Sequence, residues 1–160
     1  MNSDIYNPVK VSYLTDESFE LRDELFNRFK NLSDNLERFF YDAKTPEKIK
    51  SLCDKFQLAP TQAMFLTCII RDVAVAITYF GDMVKEVQTK LDVPEAKARQ
   101  IAQAVTELYD FALEDIKKLQ VEKFRDRIGK QAPITKPQQP QSPQPQPTKN
   151  VINLREQKKS

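Results

Sequence analysis

The sequence of 160 residues has no histidine, no tryptophan, two glycines and two cysteines. Each shortage removes a class of chemistry. Without histidine there is no imidazole base, no imidazole metal ligand and no Ser–His or Cys–His nucleophile pair. Two cysteines without histidine do not make a zinc site. Gly81 and Gly129 are too few and too far apart for a GxxxxGK[ST] or GxGxxG phosphate-binding turn. No EF-hand loop is present, and the carboxylates Asp110, Glu114 and Asp115 read as a solvated acidic helix face rather than a hard-cation site. No catalytic residue, metal or organic cofactor is expected, and an enzyme is the least supported class.

Cys53 and Cys68 sit among apolar neighbours such as Leu52, Phe56, Leu66 and Ile69. They could form a disulfide or redox pair, but this setting favours two buried thiols acting as small hydrophobes. The opening MNSDIY lacks the basic start and apolar run of a secretory leader, so cytoplasmic residence is the expectation. Residues 63–80 are the most apolar stretch, yet Arg71 and Asp72 stand at its centre. Each would cost ~2.5–3.5 kcal/mol in mid-bilayer, so this segment reads as a buried helix of a soluble domain.

What is abundant is helical periodicity. Steps of three and four, with so little glycine, predict an all-α fold: a compact bundle of four to five helices with a disordered Pro/Gln-rich C-terminal tail. Residues 1–14 show no period and read as an irregular N-terminal segment. Residues 15–129 read as the helical domain. Its first helix is expected over 16–42, capped by Thr15, with Leu25, Phe29, Leu32, Leu36 and Phe39 in 4-3-4-3 steps widened by Phe19, Leu21, Phe26 and Phe40. That spacing permits a coiled-coil seam but is short, so packing on the same domain, and a monomer, are favoured over a homodimer. Thr45-Pro46-Glu47 reads as the start of a short second helix burying Ile49, Leu52, Cys53 and Phe56. Pro60 opens the apolar third helix, which Gly81 is expected to break or bend. Asp82 can cap a short fourth helix. Asp92-Val93-Pro94-Glu95 begins a last helix that reaches about Ile128, with Gly129 after it. Its final charged turns are expected to extend beyond the core.

Within the third helix Thr67, Arg71 and Thr78 share a polar stripe, whereas Asp72 points with the apolar face. Asp72 is therefore the candidate buried polar residue. It is either a ligand- or proton-handling carboxylate or, more in keeping with its setting, a structural one paired with a Lys, Arg or Tyr from a neighbouring helix.

Charge divides the chain. Residues 1–45 carry six basic and nine acidic side chains, a net of −3; residues 46–129 carry thirteen of each; residues 130–160 carry six basic and one acidic, a net of +5. The helical part lacks the clustered basic face of a nucleic-acid-binding domain, so a nucleic-acid partner is not expected. Residues 130–149 form a Pro/Gln-rich linker with six prolines. Too apolar-poor to fold, it reads as disordered, spanning roughly 25 Å as a coil or up to ~60 Å if polyproline-like. Residues 150–160 return to apolar and basic side chains, and Val151, Ile152, Leu154 and Arg155 are the candidate partner-binding residues.

Residues 48–119 resemble a small helical domain of uncharacterised bacterial proteins. The pattern is the short helix IKSLCDKFQL, the turn LAPTQAMFL, a long apolar helix, and an element ending in KLDVPEAKARQIAQAV. The terminal NVINLR is also similar to the ends of such proteins. Members often carry a proline within the last helix. Tyr109-Asp110-Phe111-Ala112 has none, so this helix is expected to run straight. The resemblance implies a helical domain and brings no active site with it. The function expected is a non-enzymatic adaptor, presenting a tethered C-terminal peptide to an unidentified protein partner. The alternative is weak attachment of the basic tail to nucleic acid, a ribosome or an anionic membrane surface.

Overall fold

Ser18, in extended backbone, accepts the Leu21 amide on its hydroxyl and so caps α1 (Phe19–Phe29). The computed structural model describes residues 3–130. Among them the fold is all-α, with α2 (Asp34–Tyr41), α3 (Lys44–Lys55), α4 (Pro60–Ala74), α5 (Met83–Leu91), α6 (Glu95–Tyr109), α7 (Leu113–Lys123) and α8 (Arg125–Lys130) following α1, and no strand. The linker 131–149 and the motif with Val151, Ile152, Leu154 and Arg155 lie outside the described residues.

The expected bundle of four to five helices becomes eight because the first and last periods are broken. The helix expected over 16–42 is two, and its cap is Ser18 rather than Thr15. Ser33 caps α2 by accepting the Leu36 amide, and its hydroxyl donates to Asp115 Oδ2 at 2.6 Å, tying α2 to α7. The apolar steps survive the break: Leu25, Leu36, Phe39 and Phe40 are buried, with Phe29 and Leu32 packed against them. Phe19 and Phe26 depart from expectation and stand 80% and 59% exposed. Thr45 does not cap α3, which begins one residue earlier; its hydroxyl instead donates to the Phe39 carbonyl at 2.6 Å. Phe56 is only partly buried.

The other helix ends follow from the shortage of glycine. Left-handed backbone, usually given to glycine, falls on Gln57, Ala76 and Asp92, with φ of 54°, 56° and 51°. At Gln57 and Ala76 the following amides close back five residues, Leu58 to Cys53 and Ile77 to Asp72, in the double hydrogen-bond pattern of a helix C-terminus. So α4 ends at Ala74, ahead of Gly81. Gly81 instead makes room for an aromatic ring, since a Cβ there would meet the Tyr79 side chain at 2.5 Å. The last helix does not run straight. Asp110, at φ 42° and ψ −114°, ends α6, and a 3-10 turn leads into α7. Its charged end also stays on the domain. Arg127 of α8 pairs with Asp82 at 2.6 Å, and Asp82 makes no side-chain cap on α5. The Phe124 ring meets that of Tyr79 at 5.3 Å, tilted by 58°, and Gly129 lies within α8.

The core wraps α4, where Leu66, Ile69, Ile70 and Val73 are buried alongside Ile101, Val105 and Ile116. Two buried polar side chains service its backbone. Tyr109 donates its hydroxyl to the Ile70 carbonyl at 2.8 Å. Gln120 donates to the carbonyls of Val73 and Thr78 and accepts from the Phe80 amide, which satisfies the unwound stretch after α4. The segment 1–14, expected to be irregular, holds 3-10 turns at Ser3–Tyr6 and Lys10–Tyr13. They pack across α3 and α4, burying Tyr6 and Val11.

Candidate functional site

Asp72 is buried, at 6% exposure, but its cationic partner comes from no neighbouring helix: it is Arg71 of α4 itself, a residue the helix wheel placed with the polar stripe. Arg71, with Thr67, has no exposed surface. A wheel describes one helix. It cannot show that the N-terminal segment crosses α4 and covers the polar side as well. The Arg71 guanidinium is met on every nitrogen: Nε donates to Asp72 Oδ1 at 2.8 Å, Nη1 to Ser12 Oγ at 2.6 Å and Nη2 to Glu17 Oε1 at 2.6 Å. This is the planar fork that lysine cannot supply. Burial raises the Asp72 carboxyl above its ordinary range while the adjacent Arg71 pulls it back. Glu17 Oε2 is buried with no hydrogen-bond partner. Arg71 is fully buried and Asp72 nearly so, while Ser12 and Glu17 are only partly covered. The cluster's action is mechanical: it fastens the segment from Ser12 to Glu17 onto α4.

Cys68 lies one turn before Asp72. It and Cys53 are buried free thiols, pushed up by burial to about 11 and about 12 respectively. The disulfide alternative is thereby set aside. The carboxylates near the α6–α7 junction are engaged locally: Asp115 accepts from Ser33 and Asn35, and Glu114 pairs with Lys117 at 3.0 Å.

On the outer side of the fastened segment lies a cavity of about 550 Å³, bounded by Val9, Ser12, Tyr13, Leu25, Phe26, Phe29 and Tyr41, with Arg22 and Lys30 at its edge. Ser12 therefore touches both the buried arginine and the groove. Such a volume suits a docked side-chain cluster or a small ligand. Its rings are unusually open for a folded domain: Tyr13 is 86% exposed, Phe26 59% and Tyr41 61%. Lys30 Nζ lies 4.1 Å from the centre of the Phe26 ring, a cation–π contact. Phe19, Arg22, Phe26 and Lys30 follow one another by steps of three and four, so aromatic and cationic side chains alternate along one edge of α1.

Comparisons with family models, curated proteins and solved structures give no match. The groove is read from its own chemistry. It escaped the sequence because Phe19 and Phe26 fit the apolar period equally well as inward residues, and because Tyr13 lies in a segment without a period. The signal present was the spacing of Phe26 against Arg22 and Lys30. The candidate residues Val151, Ile152, Leu154 and Arg155 lie outside the described residues and are brought into no site here.

Proposed function

We propose that this chain is a non-enzymatic adaptor that holds a partner protein through the aromatic groove of its helical domain and uses its C-terminal motif as a second contact. One observation carries the reading: Tyr13, Phe26 and Tyr41 converge, largely exposed, around a single groove. Tyrosine and arginine are among the residue types that dominate binding energy at protein interfaces, and the groove holds Tyr13, Tyr41 and Arg22. The buried Arg71 cluster enters this reading as the fastening of the groove's N-terminal wall. No helix among the described residues is long and apolar enough to cross a membrane. We place the chain in the cytoplasm as a monomer whose Val151, Ile152 and Leu154 act as apolar anchors with Arg155 at their rim. The linker raises the effective concentration of these anchors near a partner already held by the groove.

The test is capture of partner proteins from a native extract by the full chain, by Phe26→Ala/Tyr41→Ala, and by a chain lacking residues 148–160. Loss of the same captured band in the groove variant, with partial loss on truncation, is the expected result. Capture that ignores the groove but disappears on truncation and collapses with salt would assign binding to the basic tail on an anionic surface.

A further inference from the structure

The groove has a definite electrostatic character. Of the side chains that bound it, those carrying charge are Arg22 and Lys30, and both are cations. The acids of α1 lie elsewhere: Glu24 is paired with Arg28 at 2.6 Å, and Glu20 and Asp23 do not line the cavity; Asp34, Glu37 and Asp42 gather with Arg38 in an adjoining depression that shares Tyr41. The floor is apolar, with Leu25 buried and Phe29 partly buried beneath the exposed Phe26 ring. Apolar floor and cationic rim together describe the ligand.

Resting on the reading above, we propose that the groove selects an acidic amphipathic peptide segment of another protein, one whose large apolar side chains enter between Tyr13, Phe26 and Tyr41 while its carboxylates meet Arg22 and Lys30. Apolar anchors supply the contact area, and the carboxylates decide among partners, since a basic segment would set like charges together at the rim. Arg22 Nη2 donates to the Thr15 carbonyl at 3.5 Å, and the remaining N–H groups of its guanidinium are the donors for a carboxylate. Lys30 is already held over Phe26, so an approaching carboxylate meets an ordered ammonium. Residues 130–160, with six basic side chains and one acidic, lack this chemistry, so the segment comes from another chain.

A random peptide library displayed on phage, panned against the full chain, tests the charge rule with no partner in hand. The expected consensus combines Leu, Ile, Phe or Trp at helical or alternate spacing with Asp or Glu. A labelled consensus peptide should bind the native chain and lose roughly tenfold in affinity to Phe26→Ala. It should lose a comparable factor to Arg22→Glu/Lys30→Glu, and that variant should gain affinity for the same peptide with its acids changed to lysine. Circular dichroism confirms that each variant is folded; all three positions are exposed or at the rim. Enrichment of basic or neutral peptides overturns the charge rule while leaving the adaptor reading in place. Absence of any consensus, or tighter binding of oligothymidylate than of peptide, overturns the groove as a peptide site altogether and makes the rings a stacking surface for single strands.

Discussion

Arg71 has no surface in contact with water, so its charge rests entirely on three side chains. Removing one member of such a buried cluster is far more damaging than replacing all of it, because the survivors keep their charge and lose their partner. Arg71→Met should therefore destabilise by about 3–5 kcal/mol in urea unfolding. Adding Glu17→Gln and Asp72→Asn to it should restore most of that loss, since no uncompensated carboxylate remains. If the triple variant is no more stable than Arg71→Met, the guanidinium contributes mainly as packing volume. The sequence showed half of this cluster. Asp72 among apolar neighbours is a local fact of α4. The burial of Arg71 depends on Ser12 and Glu17, more than fifty residues upstream by chain separation, and no period links the two.

At the scale of elements, the periods located the helices and the missing glycines hid their ends. Residues 60–74, 83–91 and 95–109 carry strong apolar faces and are helices, the first and last of them shorter than the stretches read as helical. Gln57, Ala76, Asp92 and Asp110 terminate helices in conformations that glycine usually marks; Pro60 and Pro94 announced the first and third of these ends, and nothing in the sequence announced the other two. These positions hold removable strain. Gln57 is exposed, and its side chain gains nothing from left-handed backbone; Gln57→Gly should raise stability by up to about 1 kcal/mol despite the added freedom of the unfolded chain. Asp92→Gly should gain less, because aspartate tolerates that region better. Thermal or urea unfolding in parallel decides the order. Equal or negative effects at both sites would mean that the backbone there relaxes without cost. At Asp110, with ψ far from the usual left-handed value, Asp110→Gly should gain at least as much as Gln57→Gly.

For the whole molecule, the same burial that makes the core sets its response to alkali. Cys53 and Cys68 ordinarily ionise near 9.0, but burial holds them protonated up to about 12 and about 11. Tyr109, fully buried, is likewise held well above its ordinary 10.0. The unfolded chain therefore releases these protons first. Above pH 9 it binds fewer protons than the native state, so stability must fall as pH rises, until each native group ionises in turn. Urea midpoints measured from pH 8 to pH 11 should show this decline, and Cys53→Ala/Cys68→Ala should flatten it while lowering stability at neutral pH by the packing lost. A profile unchanged by the double variant would assign alkaline sensitivity elsewhere. The thiols should also resist iodoacetamide in the native state. A further consequence concerns the chain's first residues. Deleting residues 1–14 removes Tyr6, Val11 and the Ser12 contact to Arg71, so it should cost several kcal/mol in the same urea assay even though the long periods lie downstream.

Ser12 belongs at once to the buried clamp and to the groove wall, and this ties recognition to hydrogen exchange. The Val11 amide, bonded to the Asn7 carbonyl at 2.9 Å on a residue with no exposed surface, is opened to solvent deuterium when the N-terminal segment lifts from α4. Lifting it also dismantles one side of the groove. A ligand seated there must suppress that opening in proportion to its occupancy, so the protection of one buried amide becomes a gauge of binding.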